Sequence, residues 1–429
     1  VYVETYGCSA NLADTEIICG LLVEAGFEIA NRPENSDIII LNTCNVKNPT
    51  SQKMINRIQK LREFKKPMVI AGCMPKTERE KIEKIVPNAS LIGPDAILEI
   101  VDVVEKTLEG KKVVLLEKIL KDKLGFPRVR KNPIIGIVQI ASGCLSNCSY
   151  CITRFARGRL RSYHESKIVQ EVERFLREGC KEMWLTSQDN GVYGFDKGTN
   201  LAELLNKVCK IEGKFWIRVG MMNPTFVKLF VNELIEAYKS KKVFKFIHLP
   251  VQSGSNKVLE LMKRGYTKEE FLEIVQKFRN EIPEITLSTD IIVGFPGETD
   301  KDFEETIELI KEVKPDIVNI SKFGARPGTE AAKMRTIKIE KVKERSKLLY
   351  ELVREIQLKN NKKWVGWKGE VLVDEIGSKE STFISRNFAY KPIVLKSEEN
   401  VFGRFLNVKI ARALSTYFFG QLLSFKDPF

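Results

Sequence analysis

Three cysteines fall within the eight residues C-L-S-N-C-S-Y-C at 144–151, and three more, Cys8, Cys44 and Cys73, are spread along the first 73 positions. Cys144, Cys148 and Cys151 lie close enough in sequence to bind one metal centre. A structural zinc site closes with four ligands, and the chain holds only two histidines, His164 and His248, so zinc requires His164 as the fourth. An iron–sulfur cluster on three thiolates is also one ligand short, but there the open position on the fourth iron is useful, because substrate can bind it. Iron–sulfur is therefore favoured over zinc. A Cys-x-x-Cys thiol–disulfide site is the poorer reading, because it leaves the third cysteine unexplained.

Cys8, Cys44 and Cys73 each come directly after an expected strand, in E-T-Y-G-C, I-L-N-T-C and V-I-A-G-C. The carboxyl ends of parallel strands in an open α/β sheet face one crevice, so three thiolates in equivalent positions can converge there. A single buried cysteine is ordinarily a small packing residue. The shared topological position argues for a site. Cys19, Cys180 and Cys209 fall on helical faces or a helix end and read as packing residues. Nine cysteines, an odd number, argue against a disulfide framework and for metal or redox chemistry.

The elements that must position these cysteines follow from hydrophobic patterning. Up to about residue 110, apolar strands at 1–6, 37–42, 67–72 and 89–93 alternate with helical stretches. Continuous Ile/Val/Leu strands suit a parallel sheet covered on both faces, so residues 1–110 are expected to form an open α/β domain. A basic linker is expected over 111–133, carrying Lys111, Lys112, Arg128, Arg130 and Lys131. Six further strands, beginning near residues 136, 182, 215, 244, 285 and 317, alternate with amphipathic helices and predict a partial (βα)6 barrel over 134–335. The Cys144 loop then sits at the mouth of its first strand, where barrel loops carry active sites. A charged linker helix follows over 336–363. Short alternating strands from about Trp364 predict a small all-β module over 364–429.

Composition sets the outer bounds. At 429 residues the chain is long enough for two or three domains, and 43% hydrophobic with 29% charged residues is the make-up of a soluble globular protein. No apolar run approaches the roughly 20 residues that a membrane span needs, and the first residues alternate as a strand does, unlike a signal peptide. The expectation is a cytoplasmic protein with no membrane partner. A net charge of +14 favours a polyanionic partner such as nucleic acid. The competing explanation is the Lys/Glu-rich surface of a heat-adapted protein.

The motif Cys144-x-x-x-Cys148-x-x-Cys151, with Tyr150 before the last cysteine, resembles the signature of the radical S-adenosylmethionine enzymes. The domain order resembles the methylthiotransferases among them, and the likeness covers nearly the whole chain. Longer stretches carry the subtype: K-N-P-I-I at 131–135, A-R-G-R-L-R-S-Y at 156–163, W-L-T-S-Q-D-N-G-V-Y-G at 184–194 and G-M-M-N-P at 220–224. H-L-P-V-Q-S-G-S at 248–255, T-D-I-I-V-G-F-P-G-E-T at 289–299 and R-P-G-T at 326–329 add to them. They resemble the archaeal and eukaryotic type that acts on threonylcarbamoyladenosine in tRNA.

That resemblance implies two 4Fe–4S clusters, one on Cys144, Cys148 and Cys151 and one on Cys8, Cys44 and Cys73, each with one open iron. It implies S-adenosylmethionine as the source of both radical and methyl group, and carbon 2 of the adenine just 3′ of the anticodon as the target. Further partners so implied are tRNA, a flavodoxin- or ferredoxin-like electron donor and a sulfur source; a monomer is expected. For the sulfonium cofactor, strand-end residues are the candidates: Tyr150 beside the adenine, Gln188 at the amino group, Arg218 at the carboxylate, Gln252 and Asp290 at the ribose. Ser187-Gln188-Asp189 stands where many radical enzymes have Gly-Gly-Glu, a departure that bears on the amino-group contact. His248 reads as a support for the loop before Gln252. Gly294, Pro296 and Gly297 lack the Gly-Lys-Ser/Thr ending of a phosphate loop and read as a tight turn.

The last domain resembles the TRAM RNA-binding module. In it Lys368, Arg386, Lys391, Arg404, Lys409 and Arg412 alternate with Phe388, Tyr390 and Phe405, a pattern suited to phosphates and stacked bases. Two other readings remain open at this level: methylthiolation of a ribosomal-protein aspartate, and a non-catalytic, metal-dependent RNA-binding protein.

Overall fold

The computed structural model describes residues 1–44, 48–117 and 121–423; small parts of the expected linker and of the last module lie outside these. Strands β1 (Tyr2–Thr5), β2 (Ile39–Thr43), β3 (Met68–Gly72), β4 (Ser90–Ile92) and β5 (Val114–Leu115) form one sheet in sequential order. All its pairings are parallel. Side chains alternate across a strand, so an unbroken apolar run fills two cores. Ile38 and Ile40 join Ile17, Leu22 and Val103 on one face, while Ile39 and Leu41 join Met54, Ile58 and Leu61 on the other. This is why the strands read as continuous Ile/Val/Leu.

The stretch expected as a basic linker is largely structural. Its Val114–Leu115 pairs with β4 as the edge strand, and Lys123 and Arg128 are withdrawn from solvent, with side chains 2% and 1% exposed. Arg128 reaches Glu16 at 3.4 Å and Glu171 at 3.2 Å, tying the first domain to the barrel. Part of the cationic stretch is drawn into internal ion pairs, while Lys111, Lys112 and Lys131 stay exposed.

The second domain contains the six expected strands: β6 (Ile135–Gln139), β9 (Glu182–Thr186), β10 (Trp216–Val219), β11 (Phe246–His248), β12 (Thr286–Val293) and β13 (Ile317–Lys322). They form two parallel three-stranded sheets, β10-β9-β6 and β11-β12-β13, joined by a single bridge between Ile217 and Val243. The result is an open partial barrel. A two-residue ribbon, β7 (Ala141–Ser142) with β8 (Arg161–Ser162), frames the Cys144 loop. The helix Ser9–Glu24 is buried on nearly every side, including at Asn11, Asp14 and Thr15, because it lies between the first sheet and the barrel. Its Ala13 packs on Ile135 and Ile137 of β6.

The long helix Ile339–Lys362 buries Val342, Arg345, Leu349, Val353, Gln357 and Asn361. That stripe of one residue in three or four is what an amphipathic helix presents to a core. It leads into β14 (Lys368–Ile376), β15 (Thr382–Asn387), β16 (Pro392–Lys396), β17 (Phe405–Ala413) and β18 (Phe418–Leu422), a closed barrel in the order β14-β15-β16-β18-β17. Among the described residues no helix is long and apolar enough to cross a membrane.

Candidate cysteine sites and their surroundings

Both cysteine sets stand at strand ends that glycine turns toward a crevice. Gly7, at φ +122°, precedes Cys8, and a Cβ there would stand 2.5 Å from Cys44 Cβ and 3.1 Å from its Sγ. Gly143, at φ +83°, precedes Cys144, and a Cβ there would meet Arg159 O at 2.0 Å. Both turns therefore need a residue without a side chain, and the first of them brings the residue before Cys8 against Cys44.

In the loop set, donors already face the sulfurs. The Ser146 N–H donates to Cys144 Sγ over 3.3 Å, and Arg264 Nη1 donates to Cys148 Sγ over 3.1 Å. Arg264 is 4% exposed. It also reaches the Tyr150 hydroxyl at 3.4 Å, Asn223 Oδ1 at 3.0 Å and Pro250 O at 3.1 Å. One guanidinium thus ties the cysteine loop to three barrel loops. Burial, followed by the neighbouring Asp189, pushes the Cys144 thiol up to about 12, and burial also raises Cys151. As bare thiols these groups stay protonated at neutral pH. A metal centre is the usual agent that takes such protons off, and sulfurs with N–H donors aimed at them suit cluster-bound thiolates.

His164, the fourth ligand that zinc would need, caps the helix Glu165–Arg177 instead. Its side chain accepts from the Ser166 N–H at 3.3 Å. Among the described residues no three His, Cys, Asp or Glu side chains are disposed to hold a single ion.

In the set drawn from three strands, Cys44 and Cys73 are buried and Cys8 is exposed. Burial raises the Cys73 thiol, while the Arg157 guanidinium pulls the other way, and Arg157 in turn feels both Cys73 and Cys8. Arg157 belongs to the short helix Thr153–Arg157, directly after the loop set. Its Nη2 donates to Asn11 Oδ1 at 2.8 Å and Asp14 Oδ2 at 3.0 Å. Asp14, fully buried, also accepts from Lys123 Nζ at 2.6 Å and Gln139 Nε2 at 2.9 Å. Burial works against its charge, but Lys123 and Arg157 outweigh burial and hold its carboxyl below the usual range.

A cavity of about 660 Å³ opens where the two domains meet, lined by Ser51, Gln52, Glu78, Lys81, Ala325, Arg326, Pro327 and Ala332. Arg326 is buried within electrostatic reach of Cys44 and Cys151, one cysteine from each set. Neither Arg157, Arg264 nor Arg326 carries a sequence signal of its role. Arg157 and Arg326 lie inside motif stretches, but what each faces is decided by another domain.

Of the candidate cofactor residues, four line the barrel mouth or interior. Gln188 Oε1 accepts the Gly143 N–H at 2.6 Å and so fixes the loop set. Tyr150 packs edge-on to Phe295, with ring centroids 6.2 Å apart. Gln252, at φ +75°, donates its N–H to Asp290 O at 2.8 Å. Asp290 Oδ1 accepts from Asn319 Nδ2 at 2.7 Å and lies 3.0 Å from His248 Nε2, which gives His248 its partner. Arg218, the fifth candidate, is surrounded by aromatic rings. Its guanidinium lies over Trp184, Phe246 and Tyr390, at 5.1, 5.6 and 5.4 Å, and Tyr390 comes from the C-terminal module.

That module also redistributes its basic and aromatic residues. Arg386 pairs with Asp374 at 3.3 Å and Glu375 at 2.8 Å, and Lys391 with Asp316 of the barrel at 2.7 Å. Tyr390 stacks on Phe244 and Phe246, Phe405 on Trp216, and the Phe388 carbonyl accepts from the Lys245 N–H at 2.7 Å. Lys391, Tyr390, Phe405 and Phe388 dock the module onto the barrel, whereas Arg386 is paired within the module. Lys368, Arg404, Lys409 and Arg412 remain exposed.

A model of the radical SAM superfamily matches residues 138–310, and one described as uncharacterized protein family UPF0004 matches residues 1–93. The chain is 45% identical over 428 residues to a probable threonylcarbamoyladenosine tRNA methylthiotransferase of Pyrococcus horikoshii, with 99% of each chain covered. It is 36% identical over 433 residues to the threonylcarbamoyladenosine tRNA methylthiotransferase of Homo sapiens, covering 99% of this chain and 74% of that one. Among solved structures, a radical S-adenosylmethionine methyltransferase from Kitasatospora setae, with cobalamin and a 4Fe–4S cluster bound, superposes with a TM-score of 0.58. That match has 14% identity and covers 77% of this chain and 76% of the other, a likeness of fold.

Proposed function

This chain belongs to the threonylcarbamoyladenosine tRNA methylthiotransferase family, within the radical S-adenosylmethionine superfamily, and we propose that it adds sulfur and a methyl group to carbon 2 of the adenine in N6-threonylcarbamoyladenosine, just 3′ of the tRNA anticodon. Family membership makes it an enzyme of the radical tRNA methylthiotransferase type that uses S-adenosylmethionine and a 4Fe–4S cluster. The observation that supports the finer reading is Arg326 at the domain junction, within electrostatic reach of one cysteine from each set.

Cys144, Cys148 and Cys151 would hold the first cluster, and Cys8, Cys44 and Cys73 a second. When bound, these clusters and S-adenosylmethionine supply radical hydrogen abstraction, the sulfur and the methyl group. The chain's own residues orient and shield that chemistry. Arg264 and Gln188 hold the loop set in place, and Asp290, with His248 and Asn319, offers a fixed acceptor for a ribose hydroxyl. The target base must leave its stack to enter the junction. Lys368, Arg404, Lys409 and Arg412 are the exposed cations left to grip RNA phosphates. A reductant protein and a sulfur source complete the partners.

The test is to incubate the anaerobically reconstituted protein with unmodified tRNA, threonylcarbamoylated tRNA and ribosomes, then analyse nucleosides and peptides by mass spectrometry. The expected product is a thiomethyl group on the threonylcarbamoylated nucleoside. A thiomethyl group found only on ribosomal protein overturns the tRNA assignment.

A further inference from the structure

We propose that Arg326 receives the carboxylate of the substrate's threonyl arm inside the cavity at the junction of the two domains, and so sets the preference for a base carrying that arm. The inference rests on the nucleoside assigned above and deepens it.

Arg326 is 4% exposed and lines the cavity, yet its buried Nη2 has no hydrogen-bond partner among the described residues. A buried guanidinium nitrogen left without an acceptor costs free energy that the fold would normally avoid. The nearby carboxylate does not relieve it. Glu78 is already engaged by the Ser51 hydroxyl and by Lys81 Nζ, each at 2.7 Å. No carboxylate forms an ion pair with Arg326 among the described residues. The backbone at Arg326 is held, because Thr329 donates to the Arg326 carbonyl from both Oγ1, at 2.8 Å, and N, at 3.2 Å. An unpaired guanidinium nitrogen favours a planar, two-oxygen anion as its partner.

Position narrows the anion. Arg326 lies within electrostatic reach of Glu78 and then of Cys44 and Cys151, so an anion held on it would sit near one cysteine of each set. The N6 arm of the substrate base ends in a free carboxylate. A volume of about 660 Å³ accommodates it, and Gln52, which lines the same cavity, offers an amide to the arm's carbamoyl.

The test measures affinity of the intact protein for anticodon stem–loops carrying adenosine, threonylcarbamoyladenosine, or the same nucleoside with its carboxylate methyl-esterified. For the native protein the acid form should bind ~10- to 100-fold more tightly than either neutral form, the usual worth of a hydrogen bond to a charged group. Arg326→Gln should erase that preference and leave the adenosine stem–loop and S-adenosylmethionine affinities unchanged. Arg326→Lys should restore part of it. A native protein that ignores the arm altogether overturns the nucleoside assignment itself. A native preference that survives both Arg326→Gln and esterification overturns the role of Arg326 alone. Equal weakening toward all three stem–loops makes Arg326 a backbone-phosphate contact, and lost S-adenosylmethionine binding makes it a cofactor contact; either result overturns the proposal. The esterified ligand tests the native protein, so the proposal stands or falls even if Arg326→Gln does not fold.

Discussion

Cys144, Cys148 and Cys151 are neighbours because they share one loop, whereas Cys8, Cys44 and Cys73 are neighbours because three parallel strands stop level with one another. The first arrangement survives almost any placement of the rest of the chain. The second depends on the register of a whole sheet and on the pressing of that sheet against the barrel. The supports differ accordingly. The loop is steadied by single contacts, Gln188 on Gly143 and Arg264 on Cys148. The strand-end set is steadied by a buried charge network in which Asp14 draws in Lys123 from the connector and Arg157 from the barrel. A site made from distant segments needs a strong interdomain bond, and here a buried carboxylate supplies it.

Removing one cysteine from each set gives the largest expected separation. Cys151→Ala should abolish formation of 5′-deoxyadenosine, while Cys73→Ala should spare it and stop thiolation. Each variant should drop from about eight to about four irons per chain. Normal thiolation by Cys73→Ala, read by nucleoside mass spectrometry, would remove the second-cluster assignment.

Next in size is the network that holds the strand-end set. Asp14→Ala leaves two buried cations without their partner and should cost about 3–5 kcal/mol in urea unfolding. The Cys8, Cys44 and Cys73 set should lose iron before the loop set does. The pH dependence sharpens this. The folded Asp14 carboxyl binds its proton less tightly than the unfolded one, whose ordinary pKa is about 3.9. Its contribution is therefore fully present above that value and lost as pH falls through the lower folded pKa. Asp14→Asn should lack this acid limb; an unaltered acid limb would show that other carboxylates cause it.

A smaller effect is expected at Arg264. Arg264→Lys keeps the charge but loses the fork that spans Cys148, Asn223 and Pro250. It should lower 5′-deoxyadenosine formation roughly 10-fold while iron on the strand-end set stays constant. If that set lost iron as well, the two supports would not be independent. Smallest of all, Lys409→Ala or Arg412→Ala should weaken tRNA binding modestly and reduce the salt slope by about one each, with both iron contents unchanged. A slope identical to the native one would take these residues out of the RNA surface.

Much of the frame was legible before any coordinates. The six barrel strands fall where apolar runs placed them, because a strand buried on both faces leaves a continuous signature. Edge pieces were not legible. Val114–Leu115 is too short to show a period, and Phe418–Leu422 reads as an apolar tail until it pairs with β17. The basic pattern of the last module was visible, but not its division between surface and interface. Arg386 and Lys391 look like Arg404 and Lys409 in sequence, and only burial against Asp374 and Asp316 distinguishes them.

The sequence by itself determined the loop site, since ligand spacing within eight residues is local chemistry that tertiary packing can steady but not create. It also determined the layering of the domains, since hydrophobic periodicity is local as well. Tertiary structure alone decided what lies between the two cysteine sets. Arg157, Arg264 and Arg326 are ordinary cations in one dimension; burial beside sulfurs and carboxylates from distant segments makes the field of each one specific, because electrostatic interactions grow as water is excluded and depend on distances that sequence separation does not report.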